Sequence, residues 1–278
     1  MKSKSLFFLL LSVFLIVLIA VFIRVFFMEP DETVSLAVIA EDEYDPAVWG
    51  EAYPLQYAGY LKNKEMAPSP TGFGGSVNFQ KSEKEPEILV NFKGMAFSKD
   101  YTEDRGHPYS LEDLSHSKRV TPATPGSCMT CKSSNLRDLY KDMGWDYAKT
   151  PLAELMPRLK HPIVCASCHD PRTMSLRVMN PAFIEAMERR GIDVVKAPRE
   201  AMRSYVCAQC HSEYFFEPDT KRVIFPWDKG LTAADMYAYY QQRPSGFDMD
   251  WPHPDSQAKL LKAQHPDYAP FAGGVHEQ

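Results

Sequence analysis

The first apolar positions of the chain come as a single block. Leu6 through Ile23 is nearly unbroken, Lys2 and Lys4 precede it, and Val25-Phe26-Phe27-Met28 resumes it after Arg24. The core of a signal peptide runs to about 15 residues and ends at a small-x-small site; this block is longer and no such site follows Arg24. Residues 1–28 therefore read as an uncleaved transmembrane anchor in preference to a removed signal sequence, with the lysines holding its N-terminus in the cytoplasm. Under the first reading the body is periplasmic and tied to the inner membrane; under the second it is a soluble periplasmic protein. Either way it is exported.

Beyond the block, apolar positions are dispersed. Residues 29–47 are an acidic linker, with Glu29-Pro30-Asp31-Glu32 and Glu41-Asp42-Glu43 around a short apolar patch, and 48–278 form the remaining domain. Trp49, Tyr53, Tyr57 and Tyr60 recur every three or four residues, a helical face suited to core packing in preference to covering the edge of a bound cofactor. Residues 67–87, with Pro-Ser-Pro and Gly-Phe-Gly-Gly, predict an irregular surface loop, and 88–127 are poor in helical pattern despite Ile88-Leu89-Val90 and Phe92.

Helical periodicity returns further on. Thr150 is placed to cap a helix with Pro151 at its first position, ahead of Leu152, Leu155, Met156 and Leu159. Asn180-Pro181 repeats that start before Phe183, Ile184 and Met187, with Gly191 as the stop. Pro198 introduces Ala201, Met202, Tyr205 and Val206, while Thr232 and Asp235 make a capping box before Met236, Tyr239 and Tyr240. Strand-turn-helix alternation and Gly-rich phosphate loops do not occur. The expected fold class is mainly α with long irregular loops.

Composition changes this picture in one respect. The chain of 278 residues can bury a substantial core as one large domain or two smaller ones, and its net charge of -5 argues against nonspecific nucleic-acid binding.

The cysteines change it more. All six fall in three Cys-x-x-Cys pairs: Cys128 and Cys131 in CMTCK, Cys165 and Cys168 in CASCH, Cys207 and Cys210 in CAQCH. Compact zinc sites space their ligands differently, and a redox Cys-x-x-Cys opens a helix in a βαβ unit, a context missing here. Two thiols a turn apart, followed by an imidazole, suit thioether attachment of one haem with the histidine on its iron. Three covalent c-type haems are expected, with His169 and His211 as axial ligands. The third motif falls at a helix end. His107, in an Arg-Gly-His turn, is either a surface histidine or a second axial ligand.

Lys132 stands where the first motif lacks histidine. An amine binds iron only through its lone pair, so the site must strip its proton; otherwise Lys132 is a surface lysine and the ligand comes from elsewhere. A lysine-ligated haem among bis-imidazole haems points to chemistry rather than electron wiring alone.

CMTCK, CASCH, CAQCHSEY, FPWDKG and Lys262-Ala263-Gln264-His265-Pro266 together resemble the cytochrome c nitrite reductase family, the ammonia-forming pentahaem enzymes, from about residue 49 onward. The resemblance implies a multihaem cytochrome c fold, with loops packed around covalent haems, that reduces nitrite to ammonium at the Lys132 haem. It implies Arg119, Tyr214 and His265 on the open side of that iron, and a calcium ion held by Glu213, Tyr214, Lys262 and Gln264, with Lys262 supplying its backbone carbonyl. His107 would be the third haem's distal ligand and His276 that of a fourth. The family carries five haems, forms homodimers and takes electrons from a membrane quinol-oxidising multihaem cytochrome. This chain ends after His276 with three motifs, so it reads as a C-terminally truncated form, the alternatives being a natural three-haem relative or a reading frame ended by sequence error. His116, His161 and His253, which the family pattern does not place, are either substitutes for the second haem's distal ligand or surface residues. The alternative function is electron transfer without a substrate of its own.

Overall fold

The computed structural model describes residues 2–26, 38–72, 75–243, 249–264 and 266–277. The chain divides into two compact units, Met1–Ala37 and Val38–Gln278.

The first unit contains α1 (Lys2–Phe26), in which Ser12 Oγ donates to the Phe8 carbonyl. Crossing a hydrocarbon core takes about 20 consecutive apolar residues. Among the described residues no helix is long and apolar enough to cross a membrane; the apolar run of α1 includes the polar Ser12, and its sequence has Lys2, Lys4 and Arg24 toward its ends. The expectation of an inner-membrane anchor over residues 1–28 is corrected on that ground.

The second unit is built of short helices joined by long loops: α2 (Pro46–Ala52), α3 (Pro54–Lys62), α4 (Lys81–Lys84), α5 (Glu87–Asn91), α6 (Ser110–His116), α7 (Leu136–Met143), α8 (Leu152–Leu155), α9 (Pro181–Arg189), α10 (Arg199–Ala208), α11 (Ala233–Gln241) and α12 (Tyr268–Phe271). Two small antiparallel hairpins accompany them, β1 (Phe215–Phe216) with β2 (Val223–Ile224), and β3 (Trp251–Pro252) with β4 (Lys259–Leu260).

Local signals place several of these elements. The Asn180 side chain accepts from Ala182 N at the start of α9, and Thr232 with Asp235 closes the capping box of α11. Other expectations change. The aromatic run from Trp49 to Tyr60 is two helices broken at Tyr53-Pro54, and of those four aromatics only Trp49 is fully buried. Pro151, not Thr150, is the cap of α8; Thr150 Oγ1 instead donates to the Asp146 carbonyl. Residues 67–127, expected to be irregular and poor in helical pattern, contain α4, α5 and α6, each one or two turns long and too short to show a helical period.

Among the described residues three apolar cores organise this unit. One joins Phe183 and Met187 of α9 to Met202, Phe225, Trp227, Met236 and Tyr268. A second gathers Leu136 and Leu139 of α7 with Tyr147, Leu152, Leu155 and Leu159. The third packs Trp49 against Ile39, Tyr44 and Val164.

Candidate functional site

Each cysteine pair is pinned to one of these cores by the residue after its first cysteine. Met129 is 0% exposed in the second core, Ala166 is 2% exposed in the third, and Ala208 is 1% exposed in the first. The next residue in each pair is polar, buried and hydrogen-bonded. Thr130 Oγ1 meets Tyr147 Oη at 3.0 Å, and Ser167 Oγ pairs with Ser134 Oγ. Gln209 Oε1 accepts from Met179 N (2.9 Å) and Asn180 N (3.1 Å), while its Nε2 donates to the Ser167 carbonyl at 3.2 Å. The last bond ties the third motif to the second. Spacer residues thus face the protein while the cysteines face away: Cys207 is exposed and the other five are half-buried.

What the cysteines face is a cavity of about 250 Å³ whose wall includes Cys128, Cys131, Lys132, Cys168, Cys207, Cys210, His211, His107 and Tyr214. All three motifs reach it, although Cys165 and His169 stand off its wall. The thiols of Cys131 and Cys210, from different motifs, are within hydrogen-bonding reach. Burial pushes the Cys128 thiol up to about 11 and Cys168 up to about 12, so both are held protonated.

The histidines are oriented as metal ligands are, through the nitrogen that does not bind. His169 Nδ1 lies 2.9 Å from the Met174 carbonyl, and His211 Nδ1 lies 3.1 Å from Asp267 Oδ2. A proton on Nδ1 in each leaves the lone pair on Nε2. His107 follows Gly106, whose φ of +91° turns the chain inward, and its ring centre lies 6.5 Å from that of His211. Metal–imidazole bonds of about 2 Å on opposite sides of one iron would put the ring centres about 6 Å apart. These residues fit a bis-imidazole haem. Burial, then the nearby His211 and Lys132, lowers the His107 pKa, which keeps it neutral.

Lys132 is held by its backbone. Ser110 Oγ donates to the Lys132 carbonyl at 2.7 Å, and Ile163 N donates to Ser110 Oγ at 3.2 Å. Tyr214 lies on the cavity wall with its hydroxyl pushed far up in pKa, by burial first and then by the neighbouring Cys131 and Cys128, so it stays a phenol able to donate a hydrogen bond. Arg119 is beside the wall, close enough for its charge to act on Tyr214 and Cys128. Its guanidinium lies 4.1 Å over the Phe97 ring, and its buried Nε has no hydrogen-bond partner among the described residues. His265 lies outside the described residues.

Glu213, 7% exposed, accepts from Gln264 N at 2.6 Å and from Tyr240 Oη at 3.0 Å. Burial raises its pKa against those bonds and against the charge of Lys262. Lys262 Nζ donates to the Ala263 carbonyl (3.0 Å) and to Gln264 Oε1 (3.4 Å), and burial lowers its pKa. A buried carboxylate beside amide and carbonyl oxygens fits a hard cation, although among the described residues no group of three or more His, Cys, Asp or Glu side chains converges.

The remaining histidines stay apart from the cavity wall. His276 is exposed. His161 packs against Tyr44, His253 Nε2 lies 3.0 Å from the Val90 carbonyl, and His116 lines a separate cavity. Ser110, Gln209 and Phe97 escaped notice in the sequence because isolated serine, glutamine and phenylalanine residues carry no motif; only their partners reveal them.

The six cysteines are consistent with three covalently attached c-type haems, and the known relatives agree. The family model for cytochrome c552 matches residues 45–278. The chain is 44% identical over 255 residues to a cytochrome c-552 of Bacteroides thetaiotaomicron, covering 89% of this chain and 50% of that protein. It is 32% identical over 268 residues to the cytochrome c nitrite reductase subunit NrfA of Nitratidesulfovibrio vulgaris, covering 86% of this chain and 51% of that protein. Among solved structures, the catalytic subunit of cytochrome c nitrite reductase from Desulfovibrio desulfuricans, described with two calcium sites, superposes with a TM-score of 0.78 at 30% identity, over 86% of this chain and 57% of that one. The chain thus spans about half the length of the curated relatives it matches. Its cysteine motifs, its mainly helical fold and these matches agree that it belongs to the cytochrome c552 family, which includes the catalytic subunits of cytochrome c nitrite reductase.

Proposed function

We propose that the chain acts as a multihaem electron carrier, and that in the whole protein its Lys132 site reduces nitrite to ammonium. The first part rests on one observation: cysteines of all three motifs, His211 and His107 border a common cavity. Groups held that close exchange electrons without large motion. Haem c, when bound, supplies the redox-active iron. His169, His211 and His107 would be its imidazole ligands and Lys132 its amine ligand. His276, exposed and not on the cavity wall, is proposed as a ligand only for a haem of the longer protein.

The second part is favoured by what differs at Lys132. Arg119 holds a buried donor with no partner among the described residues, suited to a small oxyanion. Tyr214 stays protonated beside it and can orient the bound anion. His265 is proposed to relay protons there. The overall change consumes one nitrite, six electrons and eight protons, and releases one ammonium and two waters. The donor is proposed to be a membrane quinol-oxidising multihaem cytochrome, and the whole protein a homodimer.

The test uses the haem-loaded chain. Intact mass and haem absorbance should show three attached haems; six alkylatable thiols would defeat both parts. Three haems hold three electrons and one nitrite takes six, so the haem-loaded whole protein, kept reduced by an excess of viologen radical as electron donor, should then release ammonium from nitrite. Reoxidation by a foreign electron acceptor but not by nitrite would leave electron transfer alone.

A calcium ion is proposed at Glu213, Tyr214, Lys262 and Gln264, with Tyr214 and Lys262 giving carbonyl oxygens. At a concentration a hundred times its dissociation constant, it would stabilise the chain by about 2.7 kcal/mol. Thermal unfolding with and without a chelator measures this. The shift should vanish in Glu213→Gln; an equal shift in that variant places the ion elsewhere.

A further inference from the structure

We infer that Asp100 and Phe97 are positioning residues for Arg119, one holding its backbone and the other its guanidinium. This rests on the reading of Arg119 as the nitrite contact and adds what keeps that contact in place. Asp100 is 3% exposed, deep for a carboxylate, and its bonds converge on the residues leading into Arg119. Its Oδ2 accepts from Lys118 N at 2.7 Å and from Ser117 Oγ at 3.0 Å, and its Oδ1 accepts from Gln80 Nε2 at 2.6 Å. Ser117 Oγ in turn accepts from Arg119 N at 3.3 Å. One buried carboxylate therefore ties down three successive residues.

The far end of the arginine is held differently. Its guanidinium lies over the face of Phe97, three residues before Asp100, and Lys262 Nζ lies over the same ring at 4.5 Å. A cation over an aromatic face is attracted without using its N–H groups. A carboxylate partner would consume those donors, whereas the ring does not; the buried Nε has no hydrogen-bond partner among the described residues. An arginine anchored at both ends has already lost the rotamer freedom that anion binding would otherwise cost. Burial would raise the Asp100 pKa, but the bonds from Gln80, Lys118 N and Ser117, with the charge of Arg119, hold it below the usual carboxylate value. The clamp is thus an ionised one.

The experiment is a titration of the haem-loaded chain with nitrite, followed by haem absorbance, with carbon monoxide as an uncharged ligand for the same iron. Asp100→Asn keeps the shape but weakens charge-assisted bonds, and should weaken nitrite binding about tenfold while leaving carbon monoxide binding within about twofold. Added to Arg119→Ala, it should have no further effect, because both act through one contact. Should Asp100→Asn fail to fold, Ser117→Ala removes one strand of the clamp, and weaker nitrite binding with carbon monoxide unaffected is again expected. Unchanged nitrite affinity, an equal loss for carbon monoxide, or full additivity with Arg119→Ala overturns the positioning role. If Arg119→Ala itself leaves nitrite affinity unchanged, the anion contact is wrong, and that failure is distinct from the others.

Discussion

In the whole protein, Lys132→His is expected to retain thioether attachment at its motif yet to lower the proposed nitrite turnover about a hundredfold or more, a barrier increase of about 2.7 kcal/mol. The site explains the severity. Ser110 Oγ holds the Lys132 carbonyl at 2.7 Å, and the next two residues are buried, with Ser133 Oγ donating to the His161 carbonyl (2.8 Å) and Ser134 Oγ to the Pro162 carbonyl (2.7 Å). With that backbone clamped, the exchange cannot be absorbed by a shift of the chain. A long flexible amine is replaced by a short planar imidazole, so the ligating nitrogen changes in both reach and kind. Axial ligation sets iron potential and spin state, and both should move. The axial-ligand spectrum and the ammonium formed per nitrite consumed are the readings. An unaltered spectrum would remove Lys132 from the iron, whatever happened to turnover.

Gly126→Ala should act on the fold two residues before the first cysteine. A Cβ at Gly126 would lie 2.2 Å from the Tyr147 carbonyl oxygen, 2.5 Å from Leu155 Cδ1 and 3.0 Å from the Thr150 carbonyl oxygen. Two of these are backbone atoms in a tight corner. Gly126 N donates to Thr150 O at 2.8 Å and Leu152 N donates to Thr124 O at 2.7 Å, so neither strand can retreat without losing bonds. Overpacking costs typically 1–3 kcal/mol, and a clash with fixed carbonyls should reach about 3 kcal/mol. For a unit of this size that lowers Tm by roughly 6–12 °C. Because Met129 is pinned in the second core just beyond, Cys128 should be displaced more than the other motifs. Intact mass should show a two-haem species beside the three-haem one, and uniform loss from all three motifs would contradict a local effect.

The parts of the protein legible from its sequence are those whose physics is local. Thioether attachment requires two cysteines and a ligand at fixed spacing, so CMTCK, CASCH and CAQCH could be read directly. Helix caps are local too, which is why Asn180-Pro181 and Thr232 with Asp235 begin helices where expected. Thr150 failed as a cap because Asp146, in the preceding turn, offered its hydroxyl a carbonyl. The short helices between residues 81 and 116 had no periodicity to show, being too brief for one.

What the sequence by itself determined is the chemistry available: three cysteine pairs, two histidines and a lysine after them, and a family resemblance strong enough to nominate Arg119, Tyr214 and Glu213. Tertiary structure alone decided how that chemistry is placed. Met129, Ala166 and Ala208 are anchors only because three separate cores lie behind them; Gln209 joins two motifs only because the chain folds back 42 residues to Ser167. Asp100 and Phe97 meet Arg119 across a loop with no repeat or motif. Contacts between residues far apart in the chain depend on how the cores close, and a pattern along the chain carries no record of that closure.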